Sequence, residues 1–205
     1  MSTTGRIHNF GAGPAVLPLE VVEECRKSLP NLDNSGFGLI EISHRSQTFQ
    51  NIVDSSMEKL RRILSIPEDY TVLYLQGGAS LQFYMSALNL LRENEKVDFL
   101  VTGAWSQKSM KEANRIGDAS ARWDDTENGF ISIPKNGEYS VRKDSLYLHY
   151  TSNNTLFGTQ FHHLPDSNGK PRVLDASSDI MGCLLYTSDA ADEGLGVDLG
   201  GRRII

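Results

Sequence analysis

An α/β fold, a mainly parallel sheet with flanking helices, is what this sequence predicts, and three observations carry the prediction. Compact β-branched and aromatic runs at 70–75, 97–101 and 145–150 alternate with stretches of helical spacing, an alternation that implies parallel pairing through right-handed crossovers. Small and polar residues collect just after those runs, at Gly77-Gly78, Gly103-Ala104 and Asn153-Asn154. The 205 residues, 39% hydrophobic and 22% charged, have the ordinary composition of a chain able to bury a core.

Residues 1–15 read as an extended segment. Pro14 and Pro18 then punctuate the entry to a helix spaced by Leu19, Val22, Cys25 and Leu29, with Pro18 suited to the first turn, where its missing N–H costs nothing. A Gly/Asn/Ser loop over 31–38 and a short apolar stretch at 39–42 follow. Phe49, Ile52, Val53, Leu60, Ile63 and Leu64 recur at helical spacing and predict a long amphipathic helix closing near Pro67. The period then changes. A buried strand is expected at 70–75, a helix at 79–91, a strand at 97–101 and a helix at 103–115. A hairpin or loop over 128–138, a strand at 145–150, a turn at 166–170 and a strand opening at 172–175 complete the pattern. No internal repeat is visible.

Several function classes fit poorly. No apolar run is long enough to span a bilayer, and the start, Met-Ser-Thr-Thr-Gly-Arg, lacks the apolar core of a secretory signal. The net charge is −6 with no cluster of basic and aromatic residues, which argues against nucleic acid. The two cysteines, Cys25 and Cys183, are far apart and not at metal-ligand spacing, so neither a disulfide scaffold nor zinc is expected and a reducing cytoplasm is the simplest home. His162-His163 has no Cys or acidic partner at metal spacing, and no metal site is assigned.

Five segments are candidates for chemistry. In Gln76-Gly77-Gly78-Ala79-Ser80, small residues at a strand end let backbone amides approach a phosphate, and the start of the next helix directs free N–H groups at it. Charge-assisted bonds of this kind are worth roughly 1.5–3 kcal/mol each, so a few can hold a phosphate without a local Lys or Arg. The plainer alternative is a tight turn, and the segment matches neither the P-loop nor the GxGxxG pattern. Trp105 follows a strand, where ligands of parallel sheets sit, and reads either as a stacking plate or as a core indole. Asn153-Asn154-Thr155 is either a polar cluster at a strand end or an Asn-rich turn. Asp175 ends an apolar strand, where a carboxylate needs a cation or donor; the alternative is a helix N-cap. Arg45, in Ser43-His44-Arg45-Ser46, offers a fork suited to a carboxylate or phosphate, or is a surface arginine.

Together these segments resemble the phosphoserine aminotransferase family of class V, fold-type I pyridoxal-phosphate (PLP) enzymes, from about residue 9 to about residue 182. The resemblance rests on Asn9-Phe10-Gly11-Ala12-Gly13-Pro14-Ala15, Ser43-His44-Arg45 with Phe49, Gln76 through Phe83, and Gly103-Ala104-Trp105-Ser106. It rests further on His149 through Gly158, close to a signature of the family, and on Val173-Leu174-Asp175-Ala176-Ser177-Ser178. It implies a fold-type I PLP-transferase large domain, with 16–182 as its partial cofactor-binding portion, ending before the small carboxyl-terminal domain. It further implies that Ala79 and Ser80 bind the PLP phosphate, that Trp105 stacks on the ring, that Thr155 bonds near the phenolic oxygen and that Asp175 pairs with the ring nitrogen. Arg45, with the backbone near Ala12, is implied to hold the carboxylate of glutamate or phosphoserine. The implied reaction interconverts 3-phosphohydroxypyruvate plus glutamate with phosphoserine plus 2-oxoglutarate in serine biosynthesis, in a homodimer whose second subunit completes the phosphate site. Membranes and nucleic acid are not among the expected partners.

The sequence departs from the family at about Cys183. The family continues past the aspartate strand to a lysine that forms the internal Schiff base, whereas no lysine follows Lys170 here. Residues 183–205 match no part of the family and are expected to be an artefactual or disordered tail. The chain alone is therefore expected to lack the catalytic residue and to be inert. A non-catalytic PLP- or phosphate-binding module and another class V enzyme are the competing readings, and the 149–158 segment disfavours the latter.

Overall fold

The computed structural model describes residues 5–11, 13 and 15–180. They fall into two compact units divided between Ile66 and Pro67.

The first unit holds helices α1 (Leu19–Ser28) and α2 (Gln47–Ile63). Pro18 is the N-cap of α1, one position before the first turn, and its carbonyl accepts from the Val22 N–H at 3.3 Å. α2 opens on Ser46, whose hydroxyl accepts from the Phe49 N–H at 3.2 Å, and closes on Arg61 and Arg62 at the negative end of its dipole. Between them, single 3₁₀ turns at Leu32–Asn34 and Leu39–Glu41 occupy the expected loop and short apolar stretch. Gly38 is fixed here by space, since a Cβ would run into the Leu29 carbonyl oxygen. Leu32 is the one buried apolar residue of this unit among those described.

The second unit is the sheet. Strands β1 (Lys96–Val101), β2 (Asp118–Asp124), β3 (Ser145–Thr151) and β6 (Arg172–Asp175) pair in the order β2-β1-β3-β6, all parallel. Two-residue strands β4 (Asn153–Asn154) and β5 (Thr159–Gln160) form a separate antiparallel pair. Helix α3 (Gly78–Leu90) precedes β1, and α4 (Ala104–Ala113) joins β1 to β2 and packs against α3. The expected parallel sheet with flanking helices is thus formed, and β1, β3 and β6 lie where the sequence predicts strands.

Two elements differ. The expected strand at 70–75 is not in the sheet: Tyr70 is buried, but Leu73, Tyr74 and Leu75 are 59%, 55% and 47% exposed. Strand formation depends on cross-strand neighbours more than on intrinsic preference, and no ladder among the described residues includes this run. Conversely, β2 had no apolar signature. Its residues Ala119, Ala121 and Trp123 alternate with Ser120 and Arg122, and small alanines suffice because β2 lies at the sheet's edge. The β1–β2 register slips between Phe99 and Leu100, where the bulge turns Arg122 to donate to the Ser140 carbonyl at 2.7 Å.

β1 is buried on both faces, as a central parallel strand should be. Val97, Phe99 and Val101 join Tyr147, Ala87, Leu91 and Ala113 in one core beneath α3 and α4, while Leu100, Leu148 and Tyr150 join Val141 and Phe161 on the other side. A charge lies within β1 itself. Asp98 is 0% exposed and accepts from the Arg142 backbone N–H and Nε, both at 2.6 Å. The same guanidinium donates to Asp118 Oδ2 at 2.9 Å and to the Val97 carbonyl at 2.8 Å, so one side chain ties β1, β2 and the approach to β3 together. No helix among the described residues is long and apolar enough to cross a membrane.

Candidate functional site

The strand order creates the site. The chain leaves β1 toward β2 on one side, and β3 returns to the other side of β1. The loops beyond the carboxyl ends of β1 and β3 therefore diverge, and in open parallel sheets such a switch point opens the ligand crevice. Thr102 to Trp105 leave β1 there, and Ser152 to Thr155 leave β3.

The loop after β1 is held without freedom. The Ser106 hydroxyl accepts from the N–H groups of Thr102 (2.9 Å) and Gly103 (3.0 Å) and donates to the Gly103 carbonyl at 2.8 Å. Trp105 thereby starts α4 at the crevice, 36% exposed, with Nε1–H donating to Thr155 Oγ1 at 3.4 Å. Between the plate and core readings of Trp105, this exposure favours the plate; the other tryptophan, Trp123, packs against the core. In the Asn-Asn-Thr segment the alternatives divide by residue. Asn154 is 1% exposed and donates to Thr102 Oγ1 at 3.1 Å and Thr159 Oγ1 at 3.1 Å, a structural role, whereas Thr155 remains half-buried at the crevice.

The amide cup lies on α3, which packs against α4. Gly77 caps α3 with φ 92, a left-handed conformation that suits glycine, and a Cβ there would strike the Leu81 side chain. The first helical bond runs from the Leu81 N–H to the Gly77 carbonyl at 3.3 Å, which leaves the N–H groups of Gly78, Ala79 and Ser80 without helical acceptors. Ser80 Oγ accepts from Lys108 Nζ at 2.9 Å, and the same ammonium lies 5.9 Å from the centroid of the Trp105 ring. Lys108 was not among the sequence candidates. Its place three residues after Trp105, on the same face of a helix, is the signal that could have found it.

Asp175 ends β6 in register with Thr151, so both project from the sheet face that also carries His149 and Phe99. Its Oδ1 accepts from the Ser177 N–H at 3.2 Å and from the Ser177 hydroxyl, and among the described residues no cation forms an ion pair with it. These are local turn contacts: no helix among the described residues follows Asp175, and the carboxylate has no cationic partner among them. Beside it, His149 stacks on Phe99 with centroids 4.6 Å apart and shares a 3.0 Å hydrogen bond with Ser109 Oγ. Burial pushes its pKa down to about 4 against the opposing pull of the Asp175 carboxylate, so the imidazole is neutral at neutral pH. His149 Nδ1 and Thr151 Oγ1 are buried without partners.

These features fit a phosphorylated, cationic aromatic ring: an amide cup with an ammonium, an indole plate, and an anion without its cation beside orphaned polar atoms. Arg45 belongs to the first unit, where it is exposed in the turn before α2 and its N–H donates to Ser43 Oγ at 3.2 Å. Ala12 and the 183–205 segment, Cys183 included, lie outside the described residues. Cys25 is a free, exposed thiol.

The chain resembles known proteins along most of its length. It is 46% identical over 176 residues to the phosphoserine aminotransferase of Desulfotalea psychrophila, covering 86% of this chain and 48% of that protein. The solved phosphoserine aminotransferase of Bacillus circulans subsp. alkalophilus superposes with a TM-score of 0.81 at 38% identity, covering 85% of this chain and 49% of that one. The PLP-bound phosphoserine aminotransferase of Trichomonas vaginalis gives a TM-score of 0.75 at 32% identity, with 82% and 47% covered. The chain spans about half the length of the curated relatives it matches. Residues 7–183 match the family described as Aminotransferase class-V, and with the sheet and crevice found here the chain belongs to the class-V aminotransferases.

Proposed function

We propose that this chain is the cofactor-binding portion of a PLP-dependent phosphoserine transaminase, interconverting 3-phosphohydroxypyruvate and glutamate with phosphoserine and 2-oxoglutarate in serine biosynthesis. The observation that carries the reading is the Trp105–Thr155 pair at the switch point, with Ser80 of α3 joined to the Trp105 helix through Lys108 and Asp175 at the end of β6 in register with Thr151. PLP, when bound, supplies a ring that accepts electron density from the substrate's Cα.

The protein residues divide the remaining work. The Ala79 N–H and the Ser80 N–H and hydroxyl hold the phosphate at the positive end of α3. Trp105 covers a ring face and excludes water from it. Thr155 donates or accepts at the phenolic oxygen. Asp175, already oriented through Ser177, keeps a proton on the ring nitrogen, and neutral His149 beside it offers no competing positive charge. Arg45 and the backbone near Ala12 bind the substrate carboxylate. Residues 16–182 act as part of a large domain in a homodimer whose second subunit completes the phosphate site. A reducing cytoplasm suits the exposed Cys25 thiol. The 205-residue polypeptide has no lysine after Lys170 and turns nothing over by itself.

The test is a chimera joining residues 1–182 to the carboxyl-terminal half of the Desulfotalea psychrophila relative, assayed beside the 205-residue polypeptide. The chimera is expected to transaminate phosphoserine with 2-oxoglutarate, and the shorter chain to show none. A folded, PLP-loaded chimera without phosphoserine turnover sinks the substrate assignment, and turnover by the 205-residue chain sinks its inertness.

A further inference from the structure

Lys108 connects the two helices that frame the crevice. It stands one turn after Trp105 on α4, and its Nζ reaches Ser80 Oγ on α3 at 2.9 Å while lying over the Trp105 indole. The ammonium donates to a hydroxyl and faces an indole, and neither group neutralises its charge. No carboxylate pairs with this ammonium among the described residues. The cup segment, Gln76 to Gln82, has no cationic residue of its own. Three free amides and a helix end supply about half a positive charge, whereas a phosphate monoester carries about −1.5 to −2 at neutral pH. The cup alone is short of at least one positive charge, and Lys108 is the cation held against it.

The hydrogen-bond arithmetic agrees. An ammonium has three protons to donate and a hydroxyl has one. Lys108 spends one on Ser80 Oγ and keeps two. Because Ser80 Oγ accepts from Nζ, its own proton stays free, and a neighbouring positive charge makes it a stronger donor. The ammonium and the serine hydroxyl thus present adjacent donors beside the unpaired α3 amides.

We propose that Lys108 is a direct ligand of the cofactor phosphate, its Nζ pairing with one phosphate oxygen while the Ser80 hydroxyl donates to another. The proposal rests on the PLP-binding reading above.

The test uses the full 205-residue chain and two probes without an aldehyde, so that no lysine can react with them: 4-deoxypyridoxine 5′-phosphate and unphosphorylated 4-deoxypyridoxine. Trp123→Phe leaves Trp105 as the sole indole and its fluorescence as the readout of binding. Lys108 is exposed within a helix, and Met is a good helix former there, so K108M is expected to fold. K108M should weaken the phosphorylated probe about tenfold or more, the loss of one charge-assisted bond. It should leave the unphosphorylated probe unchanged and reduce the salt dependence of phosphorylated-probe binding. K108R should retain most of the affinity. Equal affinity of K108M and the unsubstituted chain for the phosphorylated probe overturns the proposal, as does an equal loss for both probes, which would mark Lys108 as acting only through Trp105. If the unsubstituted chain binds the phosphorylated probe at no concentration, the PLP-binding reading itself fails and this proposal with it.

Discussion

Gly103 and Asn154, from the loops after β1 and β3, approach so closely that a single methyl group does not fit between them. A Cβ on Gly103 would collide with the Asn154 side-chain oxygen and lie 3.0 Å from its Cγ. Gly103 has an extended φ of 176, so the glycine is required by space and not by backbone conformation. Asn154 has nowhere to go, being 1% exposed and bonded to Thr102 and Thr159. Trp105 and Thr155 each lie within two residues of this contact, and their side chains are joined by a 3.4 Å hydrogen bond.

Gly103→Ala should therefore lower stability by about 1–3 kcal/mol, the usual cost of overpacking, and should also loosen the Trp105–Thr155 pair one step away. Thermal melting combined with quenching of Trp105 by a neutral quencher in a Trp123→Phe background checks both effects. An unchanged melt with unchanged quenching would show that the two loops are free to separate.

Much of this arrangement was legible in the sequence, for identifiable reasons. α2 carries a regular apolar stripe and a serine cap, and β1 is a short β-branched and aromatic run interrupted only by Asp98, so local pattern alone suggests both. Ser80, Trp105, Thr155 and Asp175 could each be suspected because each ends or follows a strand or opens a helix. What the sequence does not carry is strand order, and the crevice is a consequence of β3 lying on the opposite side of β1 from β2. β2 escaped notice because an edge strand of alanines and polar residues needs little hydrophobic signal, and 70–75 misled because its composition suits a strand whose partner the sheet does not provide. Lys108 was missed for a third reason: an exposed lysine on an amphipathic helix is ordinary until the packing of α4 on α3 brings it to Ser80.

The Arg142–Asp98 pair tests how the sheet below the crevice is held. Asp98 is wholly buried, and Arg142 covers both its oxygens while also bonding Asp118 and the Val97 carbonyl. Removing either partner leaves an uncompensated charge, so Arg142→Met should cost about 3–5 kcal/mol. Asp98→Asn combined with Arg142→Met should recover part of that loss, because the buried charge is then gone as well. Urea unfolding of the two single variants and the double variant gives the coupling. Strict additivity of the two single effects would show that the pair does not act as a unit.

His149 tests the electrostatics beneath the site. An imidazole titrates near about 6.5 in an unfolded chain, whereas burial pushes His149 down to about 4 in the fold, with Asp175 pulling the other way. Between those values the unfolded chain binds a proton that the folded chain refuses, and stability rises with pH wherever the unfolded state binds more protons. The contribution of His149 is therefore full above the unfolded value and is lost progressively as the pH falls toward 4. His149→Gln removes the titration while keeping a polar partner for Ser109 Oγ, so the variant's stability should depend less on pH between about 6.5 and 5, a window above the ordinary carboxylate range. Asp175→Asn should act in the opposite sense. Without the carboxylate that favours the imidazolium, His149 resists protonation further, and the loss of stability extends to lower pH. Urea midpoints measured at intervals across this range decide the matter: equal slopes for the unsubstituted chain and His149→Gln would mean that His149 takes up its proton within the folded protein, and that the neutral imidazole beside Asp175 is not maintained.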